Sequence, residues 1–113
     1  MPNTLDAIKK ADRMATAILG NAEASLMIAE AAYLTYQLNA GSASTMKGVA
    51  ANTARLLELV AMCSIYLAVQ MEDLTAVNAA DLVALGIKYR PFVYDMIEAT
   101  IPIVARKIEK KIA

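Results

Sequence analysis

Residues Leu56–Met71 read LLELVAMCSIYLAVQM, and this stretch decides the fold of the chain. Only Glu58, Ser64 and Gln70 interrupt it with plainly polar side chains. In a helix, positions three and four apart share a face, and the large apolar residues here occupy several such sets. A helix that is apolar nearly all round must be covered on all sides, by its own fold, by partner subunits or by lipid.

The composition of the chain favours helices over strands. Hydrophobic residues fill 58% of the 113 positions, charged residues fill 19%, and there are four glycines and three prolines. Much of the apolar content is alanine, which loses no side-chain rotamer freedom in a helix. A chain of this length has room for one domain with one core. We therefore expect a single all-α domain over residues 1–113, an antiparallel bundle of about four helices: two long, one short and one kinked at Pro102.

The first half of the chain predicts a helical hairpin. A reversal has little room at Gly20-Asn21, so we predict one long helix to about Leu38 with a weak point there, although the sequence does not fix whether this helix breaks. Glycine and serine residues in the loop 39–44 end it, and a second long helix should follow over 45–72. Antiparallel packing brings residue i roughly opposite residue 83 − i and sets large side chains against small ones.

The second half of the chain predicts a short helix and then a longer one. The short helix, 79–85, should stop at Gly86. Pro91 suits the first turn of the last helix, where a missing N–H costs least. Because Pro102 falls inside a continuing apolar pattern, we predict a kink near 98–101 rather than a stop.

The residue types that the chain lacks exclude many kinds of enzyme. Without histidine there is no Ser-His-Asp or Cys-His site, and the single cysteine, Cys63, cannot form an internal disulfide or a thiolate zinc cluster. There is no glycine-rich phosphate loop. Cys63 itself has the position of a small buried hydrophobe. The sequence therefore predicts no catalytic residue, no metal site and no cofactor, and it favours a non-enzymatic protein without deciding the question.

Three charged residues of the hairpin are candidates for a polar pocket. The expected register brings Glu30 opposite Thr53 and within reach of Arg55, and Glu58 lies three positions after Arg55 on the same helix. Isolated charges in an apolar core are costly, so these groups should pair with one another. The pattern favours a structural ion pair. The alternative is a small-ligand-binding bundle in which Glu30 or Glu58 is an acid or base.

Two basic segments are candidate anion contacts. Segment 75–97 has the order helix, Gly86-Ile87 turn, helix, like a helix-turn-helix unit, which would bring Lys88 and Arg90 to phosphates. The second of these helices offers few groups to read base edges, and the formal net charge is zero. A nucleic-acid-binding regulator is therefore an alternative function, and nucleic acid is a disfavoured partner. The C-terminal bases suit the negative end of a helix dipole or an anionic surface; they are Arg106, Lys107, Lys110 and Lys111.

We expect the chain to bind copies of itself. Its apolar content exceeds what one small bundle hides, and a neutral surface favours association. The expected interface residues come from the two long helices: Leu56, Leu59, Met62, Tyr66, Val69, Met27 and Leu34. The sequence thus predicts a non-enzymatic structural or self-assembly protein that forms a homo-oligomer, closed or filamentous. Subunit count and symmetry are left open.

The sequence disfavours a membrane span and a secretory signal. The N-terminal residues are polar and reach no apolar segment of the kind a signal peptide contains. The longest apolar run, Leu59–Val69, falls short of the roughly 18 residues that a spanning helix needs. The expected localisation is cytoplasmic, with peripheral membrane contact as the remaining alternative.

Overall fold

The computed structural model describes residues 4–40, 46–72 and 78–112. These residues form four helices: α1 (Thr4–Leu19), α2 (Ala22–Ala40), α3 (Met46–Met71) and α4 (Ala79–Ile112). The described part of the chain contains no strand, and the prediction of an all-α bundle of about four helices is confirmed. Of the predicted loop 39–44, residues 39–40 belong to α2, and residues 41–44 lie outside the described residues.

The helix is interrupted at Gly20, between α1 and α2, so the prediction of one long first helix is wrong. The Gly20 N–H donates to the Thr16 carbonyl at 2.8 Å, and the Asn21 N–H donates to the Ile18 carbonyl at 3.2 Å. The Asn21 side-chain oxygen then accepts the Ala24 N–H at 2.9 Å. This bond satisfies one of the free donors at the start of α2. Two residues suffice for the break because Asn21 caps the next helix at once.

Gly86 lies inside α4, so the separate short helix predicted over 79–85 is also wrong. The glycine is buried, and a Cβ atom at this position would lie 3.1 Å from Cγ1 of Ile65 in α3. The missing side chain lets the two helices approach closely. Tertiary contact, rather than a turn, explains this glycine.

One uninterrupted helix therefore spans the region where the sequence predicted two. Asn78 caps α4, because its side-chain oxygen accepts the Asp81 N–H at 2.9 Å. Pro91 was expected in a first turn but lies within α4, as does Pro102. The kink at Pro102 stays a prediction.

A single apolar core joins the four helices, and α3 contacts each of the other three. Side chains from every helix are fully enclosed: Ile18, Ala32, Leu59, Leu67, Ala68 and Val93. Complete burial of one leucine or isoleucine side chain contributes about 1.5–3 kcal/mol. The fold covers the side of α3 that carries Leu59 and Leu67, and it leaves other apolar positions of the same helix in solvent.

The predicted packing of the first half against α3 is confirmed in register but not in detail. The Tyr66 hydroxyl donates to the Ala17 carbonyl at 3.1 Å, which is the expected pairing. The small residues near the start of α3 do not receive large side chains from α2, and Ala50 and Ala54 are exposed. Besides α3, α2 also packs against α4.

Candidate functional site

An apolar surface, the α3–α4 face, follows α3 and the first turns of α4. It consists of Leu57, Ala61, Met62, Ile65, Val69, Val83 and Ile87. Leu57, Val83 and Ile87 are each more than half exposed. A shallow groove of about 100 Å³ lies between the two helices here, and Gly86 and Arg90 also line it. The face exists because α3 is apolar nearly all round while the bundle covers only one side of it.

The structure divides the seven predicted interface residues into three groups. Leu59 and Leu34 belong to the core of the chain itself, with 0% and 8% exposure, so they do not lie on an accessible surface. The side chains packed part-way against the core are Leu56, Tyr66 and Met27. Met62 and Val69 are exposed. Periodicity alone assigned the five α3 residues among them to faces of that helix but gave no signal for which face the bundle would cover.

Glu30, Arg55 and Glu58 form an ion-pair cluster at the surface rather than a pocket. Arg55 Nε lies 2.6 Å from Glu30 Oε2, Arg55 Nη2 lies 3.1 Å from Glu30 Oε1, and Arg55 Nη1 lies 3.3 Å from Glu58 Oε2. The Arg55 and Glu30 side chains are each 42% exposed. The bidentate contact lowers the pKa of Glu30 and raises the pKa of Arg55. A carboxylate held ionised in this way lacks the raised pKa that the acid or base alternative requires.

Lys88 and Arg90 point to different surfaces, as residues two apart on a helix do. Lys88 Nζ lies 2.7 Å from Glu72 Oε1, whereas Arg90 lines the groove of the α3–α4 face. Because α4 has no turn at Gly86, the helix-turn-helix interpretation is wrong for residues 78–97. The C-terminal bases lie on the exposed end of α4: Arg106, Lys107, Lys110 and Lys111.

A second surface, the charged cleft, lies where α1, the end of α3 and α4 meet. It has a volume of about 450 Å³. Its lining residues are Asp6, Lys9, Lys10, Arg13, Met71, Glu72, Lys88 and Tyr89. The sequence analysis found only Lys88 among these. The α1 residues are spaced to share one side of that helix, but their meeting with α4 depends on the break at Gly20.

Tyr89 organises the charged cleft. Its hydroxyl donates to Glu72 Oε1 at 2.9 Å, and its ring centroid lies 5.4 Å from Lys10 Nζ and 5.5 Å from Lys88 Nζ. Donation by Lys88 and Tyr89 lowers the pKa of Glu72, and the same carboxylate raises the pKa of Lys88. Burial, followed by the bond to Glu72, raises the pKa of Tyr89. At neutral pH, Glu72 and Lys88 are therefore charged and Tyr89 is a neutral donor.

Cys63 has no features of a nucleophile. It is buried in the core, and burial raises the pKa of its thiol to about 11, so the thiol is protonated at neutral pH. The neighbouring Ser64 donates to the Val60 carbonyl at 2.6 Å. Within residues 4–40, 46–72 and 78–112, no group of three or more carboxylate or thiol side chains is placed to hold a metal ion.

One helix in the described part of the chain, over Lys47–Met71, is long and apolar enough to cross a membrane by length and composition alone. The core helix of a water-soluble bundle meets the same criterion, and α3 carries many of the core residues. Length and composition therefore leave α3 open to both interpretations.

No family model, curated protein or solved structure matches the chain. The functional argument therefore depends on the two surfaces themselves.

Proposed function

We propose that this chain is a non-enzymatic structural protein whose copies assemble through the α3–α4 face. The observation that carries the proposal is the exposure of Val83 and Ile87, which line the groove between α3 and α4, together with that of Leu57 on α3. Apolar patches that remain exposed on a folded domain mark surfaces that are covered by a partner. The stretch that decides the fold thus supplies both the core and the assembly surface.

A second copy of the chain is the partner that the charges favour. The chain has zero formal net charge, so two copies meet without long-range repulsion. Arg90 lines the groove of the α3–α4 face, and Glu58, an exposed acid one position after Leu57 on α3, lies 3.3 Å from Arg55 Nη1 through Oε2. Within the described residues, Arg90 makes no ion pair. In a twofold contact between identical faces, Arg90 of one copy can meet Glu58 of the other.

Other exposed apolar side chains are less suited to assembly. Leu19 and Leu26 are each about two-thirds exposed, but neither is among the residues that line the groove between α3 and α4. Single exposed apolar residues are common on protein surfaces and need no partner. They provide a useful comparison, because charge placed there should leave the assembly intact.

Light scattering after size-exclusion chromatography tests the proposal. Ile87→Glu places a carboxylate in the groove, and Ile103→Glu is a matched control, because both isoleucines lie on α4 with 53% and 52% exposure. We expect an oligomer for the natural chain and for Ile103→Glu. In Ile87→Glu, burial of an unpaired charge should weaken association about 100-fold or more.

Three outcomes contradict the proposal. The natural chain could remain monomeric up to about 100 µM, a concentration at which even weak specific dimers form. Leu26→Glu could dissociate the oligomer while Ile87→Glu does not, which would move the interface to α2. The chain could partition into lipid vesicles and leave the aqueous phase, which would make lipid the cover for α3.

A further inference from the structure

Positive charge is concentrated in the charged cleft although the chain as a whole is neutral. The cleft holds four basic side chains, Lys9, Lys10, Arg13 and Lys88, against two acidic ones. The formal net charge of the chain is zero. The lining residues therefore carry an excess of two positive charges. A concave surface with an excess of one sign of charge attracts ions of the opposite sign.

The acids of the cleft do not neutralise its bases. Glu72 Oε1 accepts both Lys88 Nζ, at 2.7 Å, and the Tyr89 hydroxyl, at 2.9 Å. Of the four bases, only Lys88 makes an ion pair in the described part of the chain. The Lys9 and Arg13 side chains are exposed. Asp6 lies at one end of the cleft and opposes an anion there, so the free positive charge lies toward Arg13.

The geometry of the bases suits an anion with several oxygen atoms. Lys10 and Arg13 lie three positions apart on α1 and share one side of it, while Lys88 reaches the cleft from α4. An arginine guanidinium presents paired N–H donors that match two oxygens of a phosphate. Lysine ammonium groups add point charges with freely directed donors. Met71 contributes the apolar part of the lining.

We propose that the charged cleft binds a phosphate group carried by a small molecule, with Lys9, Lys10, Arg13 and Lys88 as its cationic contacts. The volume of about 450 Å³ lies within the range of small-molecule sites. Two ligands could supply the phosphate group: free inorganic phosphate and a phosphate monoester. The monoester also carries an organic group, which can contact Met71. The site shares no residue with the α3–α4 face and does not depend on self-assembly.

Isothermal titration calorimetry with inorganic phosphate tests the site, with chloride adjusted so that ionic strength stays constant. Arg13→Gln removes one cationic contact, and Arg106→Gln is the matched control, an exposed helical arginine outside the cleft. We expect saturable binding at one site per chain. Loss of a charge-assisted contact should weaken binding about tenfold in Arg13→Gln, while Arg106→Gln stays within about twofold of the natural chain.

A parallel titration with phenyl phosphate distinguishes the two sources. Equal affinities for phenyl phosphate and inorganic phosphate support recognition of the phosphate group alone. Tighter binding of phenyl phosphate supports a monoester as the ligand. Lys9→Gln provides a second variant, and thermal unfolding of each variant establishes that it is folded before titration.

Several results would overturn the phosphate site. One is the absence of saturable heat with either probe. Another is an equal loss in Arg13→Gln and Arg106→Gln, which would indicate nonspecific screening. A third is binding only to a DNA duplex, which would assign the bases to nucleic acid.

A monomeric Ile87→Glu variant that still binds phosphate would show that the phosphate site does not depend on the assembly proposal.

Discussion

Tyr66 joins α3 to α1 through one hydrogen bond, from its hydroxyl to the Ala17 carbonyl at 3.1 Å. Tyr66→Phe removes this bond and leaves the half-buried ring in place, so we expect the free energy of unfolding to fall by about 1 kcal/mol. Tyr33→Phe is the control, because Tyr33 bonds only Gln37 on the same exposed helical surface, and its cost should stay under about 0.5 kcal/mol. Urea unfolding measures both. Equal losses would contradict a specific contribution from the α1–α3 contact.

Glu72 should make stability depend on pH at the acidic end. Lys88 and Tyr89 lower its pKa in the folded chain from the ordinary value of 4.5, with Lys10 adding charge nearby. A carboxyl group with a lowered folded pKa stabilises the fold above 4.5 and loses that contribution as pH falls through the folded value. The Glu72→Gln variant should therefore be less stable than the natural chain at pH 7, with a difference that shrinks in acid.

The comparison variant for Glu72 is Glu109→Gln, which changes an exposed carboxylate outside the cleft. Its difference from the natural chain should be small and should change little between neutral and acidic pH. Urea midpoints measured at several pH values give both differences. A Glu72→Gln difference that is independent of pH would contradict the role of the ionised carboxylate.

For individual residues, the sequence predicted which side chains contact each other better than it predicted where those side chains lie in the folded chain. The hairpin register brought Glu30 near Arg55 and Glu58, and the three side chains do meet. The register did not determine the exposure of these side chains, and the structure places them at the surface. The charged cleft was missed because Lys10, Arg13 and Tyr89 line a common cleft only once α1, α3 and α4 have their places in the packed bundle.

At the scale of an element, α3 has a buried side and an exposed side, and residues only two positions apart lie on opposite sides. Leu59 is fully enclosed, whereas Leu57 is 56% exposed. Leu59→Ala leaves a cavity in the core and should lower the free energy of unfolding by about 2–5 kcal/mol. Leu57→Ala should cost less than about 1 kcal/mol in the monomer. Denaturant unfolding at a concentration below assembly checks this, and similar costs at the two positions would contradict the orientation of α3.

Helix ends were predictable where local chemistry alone determines them. The sequence predicted α3 over 45–72, and the structure has it over Met46–Met71. The predictions at Gly20 and Gly86 were wrong, in opposite directions. Gly20 ends a helix because Asn21 caps the next one, while Gly86 continues a helix because Ile65 of α3 packs against it. The cap at Asn21 is a local feature adjacent in the sequence, whereas the contact of Gly86 with Ile65 is a tertiary one that a single sequence does not show.

For the whole molecule, composition predicted the fold class and an excess of apolar surface. The predicted interface side chains were nevertheless only partly accessible, since Leu59 and Leu34 are in the core and Met62 and Val69 are outside. Val83 and Ile87 were not predicted, because the sequence analysis ended a helix beside them. The excess of apolar surface was therefore predictable from composition, but its location on the molecule could be read only from the packed bundle.

Self-assembly of the folded chain should couple its thermal stability to concentration. A contact made by folded but not unfolded copies stabilises the fold by mass action. For a dimer of two such chains, each tenfold increase in protein concentration should raise the unfolding midpoint by about 3–5 °C. Scanning calorimetry in a phosphate-free buffer measures this without contribution from the charged cleft.

The two α4 variants then locate the contact. In Ile87→Glu the midpoint should not change with concentration, because its monomer unfolds alone. Ile103→Glu, with the same change at equal exposure on the same helix, should keep the dependence. A concentration-independent midpoint in the natural chain would leave Leu57, Val83 and Ile87 in solvent throughout, and assembly through the α3–α4 face would be contradicted. Retention of the dependence in Ile87→Glu would instead move the contact to another surface of the bundle.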